Sequence, residues 1–246
     1  MAKNNITSNF RLFSLLFVLI ATLASKALQL TYLWSASDIT VPLALVYVFR
    51  YSYMILGIAA TAGAVSTTVY AYSYFGKKTC ITTSLISLAC LFSGKVTMFV
   101  YNLLANELKA AQLISGALSY LVEVLFDVLI LLAAIILSGI YAKKRDLAKK
   151  ESTVRAYSPL NCTFLSASLY YVFLIIDLSV MNVIPFFVKY SDPTASEIKS
   201  IISDYMYYAF QIPVIILLSW MCFALLTKVT GKLKAKQYYH KNEGTV

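Results

Sequence analysis

At 246 residues, 60% of them hydrophobic and only 13% charged, the chain is too apolar for a soluble domain of its size. Its net charge of +10 does not indicate nucleic acid, because Lys and Arg fall at the ends of apolar runs and no basic-aromatic module accompanies them. Apolar windows of about 20 residues, enough to cross a hydrocarbon core of ~30 Å, recur along the chain without the alternation of a membrane barrel. An all-α polytopic membrane protein is expected, a single domain built as a bundle of six transmembrane helices, since helices satisfy their own backbone groups in lipid.

The first helix is expected over residues 10–33, after a polar segment with Lys3 and Arg11. The small residues between Ala21 and Ala27 resemble a leader cleavage site, but Lys26 interrupts them and the apolar run continues to Trp34, so the helix is read as retained. Asp38-Ile-Thr-Val-Pro42 announces the second helix, residues 42–75, with Asp or Thr as cap and Pro in the first turn. Its middle is built of small residues, Gly57, Ala59, Ala60, Gly63, Ala64 and Thr67, which let backbones approach closely and mark it as a packing centre. Gly76-Lys77-Lys78 closes it with a tight turn.

The third helix, residues 79–104, carries Lys95 and Asn102. The fourth, residues 110–142, carries Glu123 and Asp127 four positions apart and therefore on one face, on a stripe continued by Gln112, Gly116, Ser119, Ala134 and Ser138. A basic loop, residues 143–158, separates it from the fifth helix, residues 159–188, which opens at Ser158-Pro159 and contains Asp177. Thr194-Ala-Ser-Glu197 fits a capping box for the sixth helix, residues 195–228, in which Pro213 predicts a kink before a basic tail, residues 229–246.

Most of the 21 Lys and Arg lie in the N-terminal segment, at 77–78, in the 143–158 loop and in the tail. The excess of basic residues marks the cytoplasmic side, so both termini are expected there, in a plasma (cytoplasmic) membrane. The chain also reads as three helical hairpins, with Lys26, Lys95 and Asp177 at equal distances after Arg11, Cys80 and Cys162. A decayed repeat and a shared need for a charge at one depth both account for that spacing.

At 1.5 Å per residue, Lys26 and Lys95 lie about 22 Å from the cytoplasmic ends of their helices. Asp127 is at a similar depth, with Asp177, Glu123 and Gln211 close in level and Arg50 nearer the outer boundary. Charges inside a span face the bundle interior or a water-filled cavity and pair. Lys26, Arg50, Lys95, Glu123, Asp127, Asp177 and Gln211 are therefore the candidate solute-binding or charge-network residues. One reading is an outward-open vestibule for a polar solute or for protons, lined in addition by Tyr120, Tyr170 and Tyr207. The other is structural: the cations snorkel to the headgroups and the acids fix the packing.

Catalytic signatures are missing. Neither HExxH nor GxSxG occurs, Ser93-Gly94-Lys95 lacks the upstream Gly of a phosphate loop, and the single His240 lies in the tail. Neither cofactor nor metal is expected, an enzyme is the weaker reading, and Cys80 and Cys162 read as small apolar fillers. Expected partners are the bilayer, a small polar solute or ion, and, at the 143–158 loop and tail, anionic lipid or a cytosolic protein; a homo-oligomer also fits. The function expected is a small-solute or ion transporter, or the membrane subunit of one. The alternative is a non-transporting membrane protein for assembly, regulation or protection.

Overall fold

The structure, a computed structural model, describes residues 2–38, 40–105, 110–150, 159–179 and 194–243. Among the described residues it is all-helical, with six helices and no strand: α1 (Ala2–Ser37), α2 (Leu43–Phe75), α3 (Lys77–Ala105), α4 (Ala110–Lys150), α5 (Pro159–Leu178) and α6 (Ala195–Glu243). Within these, Phe10–Ser37, Leu43–Phe75, Lys77–Ala105 and Gly116–Lys144 are long and apolar enough to cross a membrane, and Pro213–Val229 of α6 is a shorter apolar stretch. The last third of the expected fifth helix lies largely outside the described residues.

The helix ends differ from expectation in several places: α1 starts at Ala2 and runs to Ser37 rather than spanning 10–33, and α3 starts at Lys77 rather than 79. Lys143–Lys150, expected in a loop, continues α4, because Ala, Lys, Arg and Leu are good helix formers and no Gly or Pro interrupts them. α6 likewise runs on to Glu243 through much of the expected tail, continuing past Gly231 into Lys-Leu-Lys-Ala-Lys-Gln, which are good helix formers. At the start of α2 the cap is Pro42 itself, whose carbonyl accepts from Leu45 N (2.9 Å) and Val46 N (3.3 Å). Asp38 instead shapes the preceding turn, accepting from the amide (2.9 Å) and hydroxyl (2.7 Å) of Thr40. Between α2 and α3 the connection is Gly76 alone, with φ of 90°, a conformation that glycine adopts without a Cβ clash.

Helix α2 is the centre of the bundle and packs against each of the other five. From Ala60 to Ala71 it is buried on every side, which its small residues permit. At Gly63 the ring of Phe17 from α1 fills the place of a side chain, and a Cβ there would stand 2.4 Å from Phe17 Cε1. At Gly57 the neighbour is Ser25, whose hydroxyl donates to the carbonyl of Tyr53 (2.7 Å).

Side-chain layers fix the antiparallel register. At one end Phe10, Tyr70, Cys80 and Leu226 pack together with Phe75, bringing the start of α1, the end of α2, the start of α3 and the later part of α6 to one level. A middle layer holds Val18, Ala64, Val65, Cys90, Ile130, Ala134 and Cys162. Ser25 meets α2 and Asn102 meets α4 at the other end. Odd-numbered helices thus run one way and even-numbered helices the other.

The bundle buries many hydroxyls without leaving most of them unpaired. Thr22, Thr83, Ser84, Ser138 and Ser166 each donate to the carbonyl four residues earlier, at 2.6–2.9 Å, so each polar side chain is satisfied by its own helix. The outside is the reverse of a soluble protein. On α4, Leu118, Leu121, Leu125, Leu132, Ile136 and Ile140 form an exposed apolar stripe at helical spacing. A stripe of this extent is tolerated in contact with lipid and not with water.

Candidate functional site

Three helices bring charge to one place inside the bundle. Lys26 comes from α1, Lys95 from α3, and Glu123 and Asp127 from successive turns of α4. The Lys95 ammonium donates to Glu123 Oε2 in an ion pair that ties α3 to α4. That pair is unevenly covered, with the Lys95 side chain 20% exposed and that of Glu123 45%. Asp127, one turn along α4, is only 4% exposed.

Lys95, Glu123 and Lys26 all act electrostatically on Asp127, and Lys26 in turn feels Lys95, Glu123 and Asp127. The four groups therefore form one electrostatically linked cluster of two cations and two acids. Its members are not equally engaged. The Lys26 ammonium donates to Gln29 Oε1 at 2.9 Å, one turn along its own helix. Among the described residues no hydrogen bond or ion pair within 4.0 Å reaches the Asp127 carboxylate.

Gly94 lets Lys26 reach the cluster. A Cβ at that position would lie 3.3 Å from both Cγ and Cε of Lys26 and 2.6 Å from Thr22 Cγ2, so the bare backbone of α3 is the bed on which the lysine stem lies. Toward the adjoining helix ends, Asn102 Nδ2 donates to the Tyr120 hydroxyl at 2.7 Å, and the Phe99 and Tyr120 rings meet edge to face at 5.9 Å. Between α3 and α4 lies a cavity of about 260 Å³, lined by Phe92, Lys95, Val96, Phe99, Ala117, Tyr120, Leu121 and Val124. Its walls are apolar apart from Lys95 and Tyr120, and neither Glu123 nor Asp127 lines it.

The other candidates are placed differently. Arg50 is exposed on α2, where its charge acts on Tyr53, whose ring lies 5.6 Å from that of Tyr32. It is not among the charges that act on Lys26 or Asp127. Gln211 is half-buried on α6, a helix that packs against α2 and α5. The side chains of Asp177, Tyr170 and Tyr207 lie outside the described residues.

Neither Gln29 nor the packing role of Gly94 is singled out by the sequence, whereas Asn102 and Tyr120 each stand out there without being paired, and Tyr120 does line the cavity. Gln29 had a usable signal, since a position three residues after Lys26 shares its helix face. Gly94 had only its place beside Lys95. Among the described residues no group of three or more His, Cys, Asp or Glu is arranged to hold a metal ion, and all four cysteines are buried free thiols. Chemically, the cluster offers one closed ion pair, one lysine held by a neutral amide, and one buried carboxylate able to accept a proton or a cationic group. Compared with protein-family models, curated proteins and solved structures, the chain matches none.

Proposed function

We propose that this chain is a six-span protein of the plasma (cytoplasmic) membrane that moves a small polar solute or ion, alone or as the membrane subunit of a transporter. The observation that carries this reading is Asp127: a carboxylate 4% exposed, inside a span, among charges from three helices, with no hydrogen bond or ion pair among the described residues. An acid kept there only for packing would be paired, because an ionisable group in a span is costly unless it is partnered. The proposed path passes the Lys95–Glu123 pair to Asp127 and Lys26. Both termini are placed in the cytoplasm by the distribution of Lys and Arg, and the basic ends of α4 and α6 attract anionic lipid or a cytosolic subunit.

A second reading is supported by the Lys95–Glu123 ion pair. It is what a structural fastener between α3 and α4 would look like, in a membrane protein that serves assembly, regulation or protection without transport. A ligand-stabilisation screen on the purified protein separates the two, with amino acids, polyamines and monovalent ions as probes on the wild type, Glu123→Gln and Asp127→Asn. Transport predicts a solute that raises the wild-type melting temperature and loses that effect in Asp127→Asn. If no solute stabilises the wild type and both variants merely melt earlier, the second reading stands. Orientation is tested apart, since a reporter fused after Val246 that proves extracellular overturns the topology.

A further inference from the structure

We propose that the charge cluster carries one exchangeable proton on Asp127, and that Lys26 moves between Gln29 and Asp127 as that proton leaves and returns. The inference rests on reading the cluster as a functional site. Its basis is the unequal engagement of the two carboxylates. Glu123 is held by Lys95, whereas Asp127 is the more buried of the two and has no hydrogen bond among the described residues. A buried carboxylate without donors is stable as the neutral acid, and becomes stable as an anion when a cation moves onto it.

Lys26 is the cation able to make that move. Lys95 is occupied by Glu123, while the Lys26 ammonium rests on the neutral Gln29 Oε1 at 2.9 Å, within electrostatic reach of Asp127. Its stem lies against the bare backbone of Gly94, beside the Thr22 methyl. The charged groups that act on Asp127 are Lys95 from α3, Glu123 from α4 itself and Lys26 from α1. Helices α2 and α5 also pack on α4, and from them no charged side chain among the described residues acts on Asp127.

The proton balance is simple. In the protonated state the cluster holds two ammoniums, one carboxylate and one carboxylic acid, with Lys26 on Gln29. Release of the Asp127 proton to water leaves two ammoniums and two carboxylates, and Lys26 crosses to form the second ion pair. The site thereby alternates between a net positive and a neutral state, as expected of a site that couples a proton to the movement of another ion or polar solute.

Infrared difference spectroscopy of the full chain in lipid nanodiscs, stepped from mildly acidic to mildly alkaline pH, tests this directly. The wild type is expected to lose one protonated-carboxyl stretching band, a band that Asp127→Asn abolishes and Glu123→Gln retains. Lys26→Gln is expected to move the midpoint of the change to higher pH, and Gln29→Leu, which frees Lys26 for Asp127, to lower pH. A wild type without a titrating band, a band that survives in Asp127→Asn, or a midpoint indifferent to both Lys26→Gln and Gln29→Leu overturns the proposal. Should Asp127→Asn fail to fold, Asp127→Glu serves instead, and a band of unchanged frequency in that variant has the same force. If the band behaves as expected while no solute stabilises the protein, the proton site stands and the transport reading falls.

Discussion

Exchanging Lys95 and Glu123 tests whether the contact between α3 and α4 at the cluster is an energetic bond or a coincidence of position. Removing one partner of a buried ion pair costs ~3–5 kcal/mol, because the other charge is left stranded. A fully exposed pair is worth about 0–1 kcal/mol. With Lys95 20% exposed and Glu123 45%, the pair lies between these limits, and Glu123→Gln and Lys95→Gln should each cost ~1–2 kcal/mol. For a chain of this length that corresponds to a fall in melting temperature of about 2–8 °C. The four buried free cysteines provide the assay, since a thiol-reactive dye reports unfolding as they open. In a double-mutant cycle, Lys95→Gln with Glu123→Gln should cost clearly less than the sum of the singles. The reversed pair, K95E with E123K, should recover most of the loss because it keeps an ion pair at the same place and leaves the net charge of the cluster unchanged. Strict additivity, or a reversed pair as unstable as the worse single variant, would refute the reasoning.

Gly94→Ala should cost ~1–3 kcal/mol by overpacking, since its Cβ would stand 2.6 Å from a Thr22 methyl whose hydroxyl is already committed to Val18 O. The same variant should shift the Asp127 infrared band in the direction of Lys26→Gln, by displacing the lysine stem. Gly63→Ala should lower the melting temperature by a comparable amount, because a Cβ 2.4 Å from the Phe17 ring forces α1 and α2 apart, and Phe17→Leu should restore much of it. In the α1–α2 turn, the Thr40 hydroxyl and then the Thr40 amide hold the Asp38 carboxyl below its ordinary range. The folded value is therefore depressed, and the associated stabilisation is present above the unfolded value and lost as pH falls through the folded one. Thr40→Val should move the Asp38 titration, followed by NMR, back toward the ordinary carboxylate value.

What the sequence discloses about this bundle follows from the kind of signal each feature leaves. Apolar length locates α1 to α4 because a span must be long and apolar throughout. The central position of α2 is legible in Gly57, Ala60, Gly63 and Ala64, since small residues are what a helix surrounded by neighbours requires. The extensions Lys143–Lys150 and 229–243 are not legible in the same way. Hydropathy marks where a span ends, whereas the helix ends only where its propensity fails. At the site, counting residues gives depth and nothing more. Depth brought Lys26, Lys95, Glu123 and Asp127 to one level, but it also brought Arg50 and Gln211 there. The rotation of each helix about its axis decides which of them meet. That rotation is set by contacts such as Phe17 against Gly63 and Lys26 against Gly94, in which the glycine marks a close approach but not which side chain fills it.

The order of the groups along α4 bears on how the site would work. Glu123 is 45% exposed and paired, Asp127 one turn further is nearly sealed, and one turn beyond that Ile130 and Leu131 enter a layer with Val18, Ala64, Cys90 and Ala134 that is closed. A solute arriving past the Lys95–Glu123 pair would therefore meet Asp127 and then a barrier of apolar side chains extending toward the Phe10–Tyr70 end. On the transport reading, this arrangement is one of two states, and the other must part that layer while covering the half-exposed Glu123 side. The small residues Ala21, Ala60, Ala64 and Ala134 in the layer are the positions where parting breaks the fewest contacts, because each contributes a single methyl group. Ala134→Leu, two turns along α4 from Asp127, should jam the layer by adding bulk where the packing is already closed, at a cost of ~1–3 kcal/mol. It should abolish any solute-driven change in thiol accessibility at Cys90 and Cys162, which border the same layer, while leaving the Asp127 proton band in place. Loss of both signals together would mean that the layer and the charge cluster form one rigid unit, and the two-state account would then have no moving part.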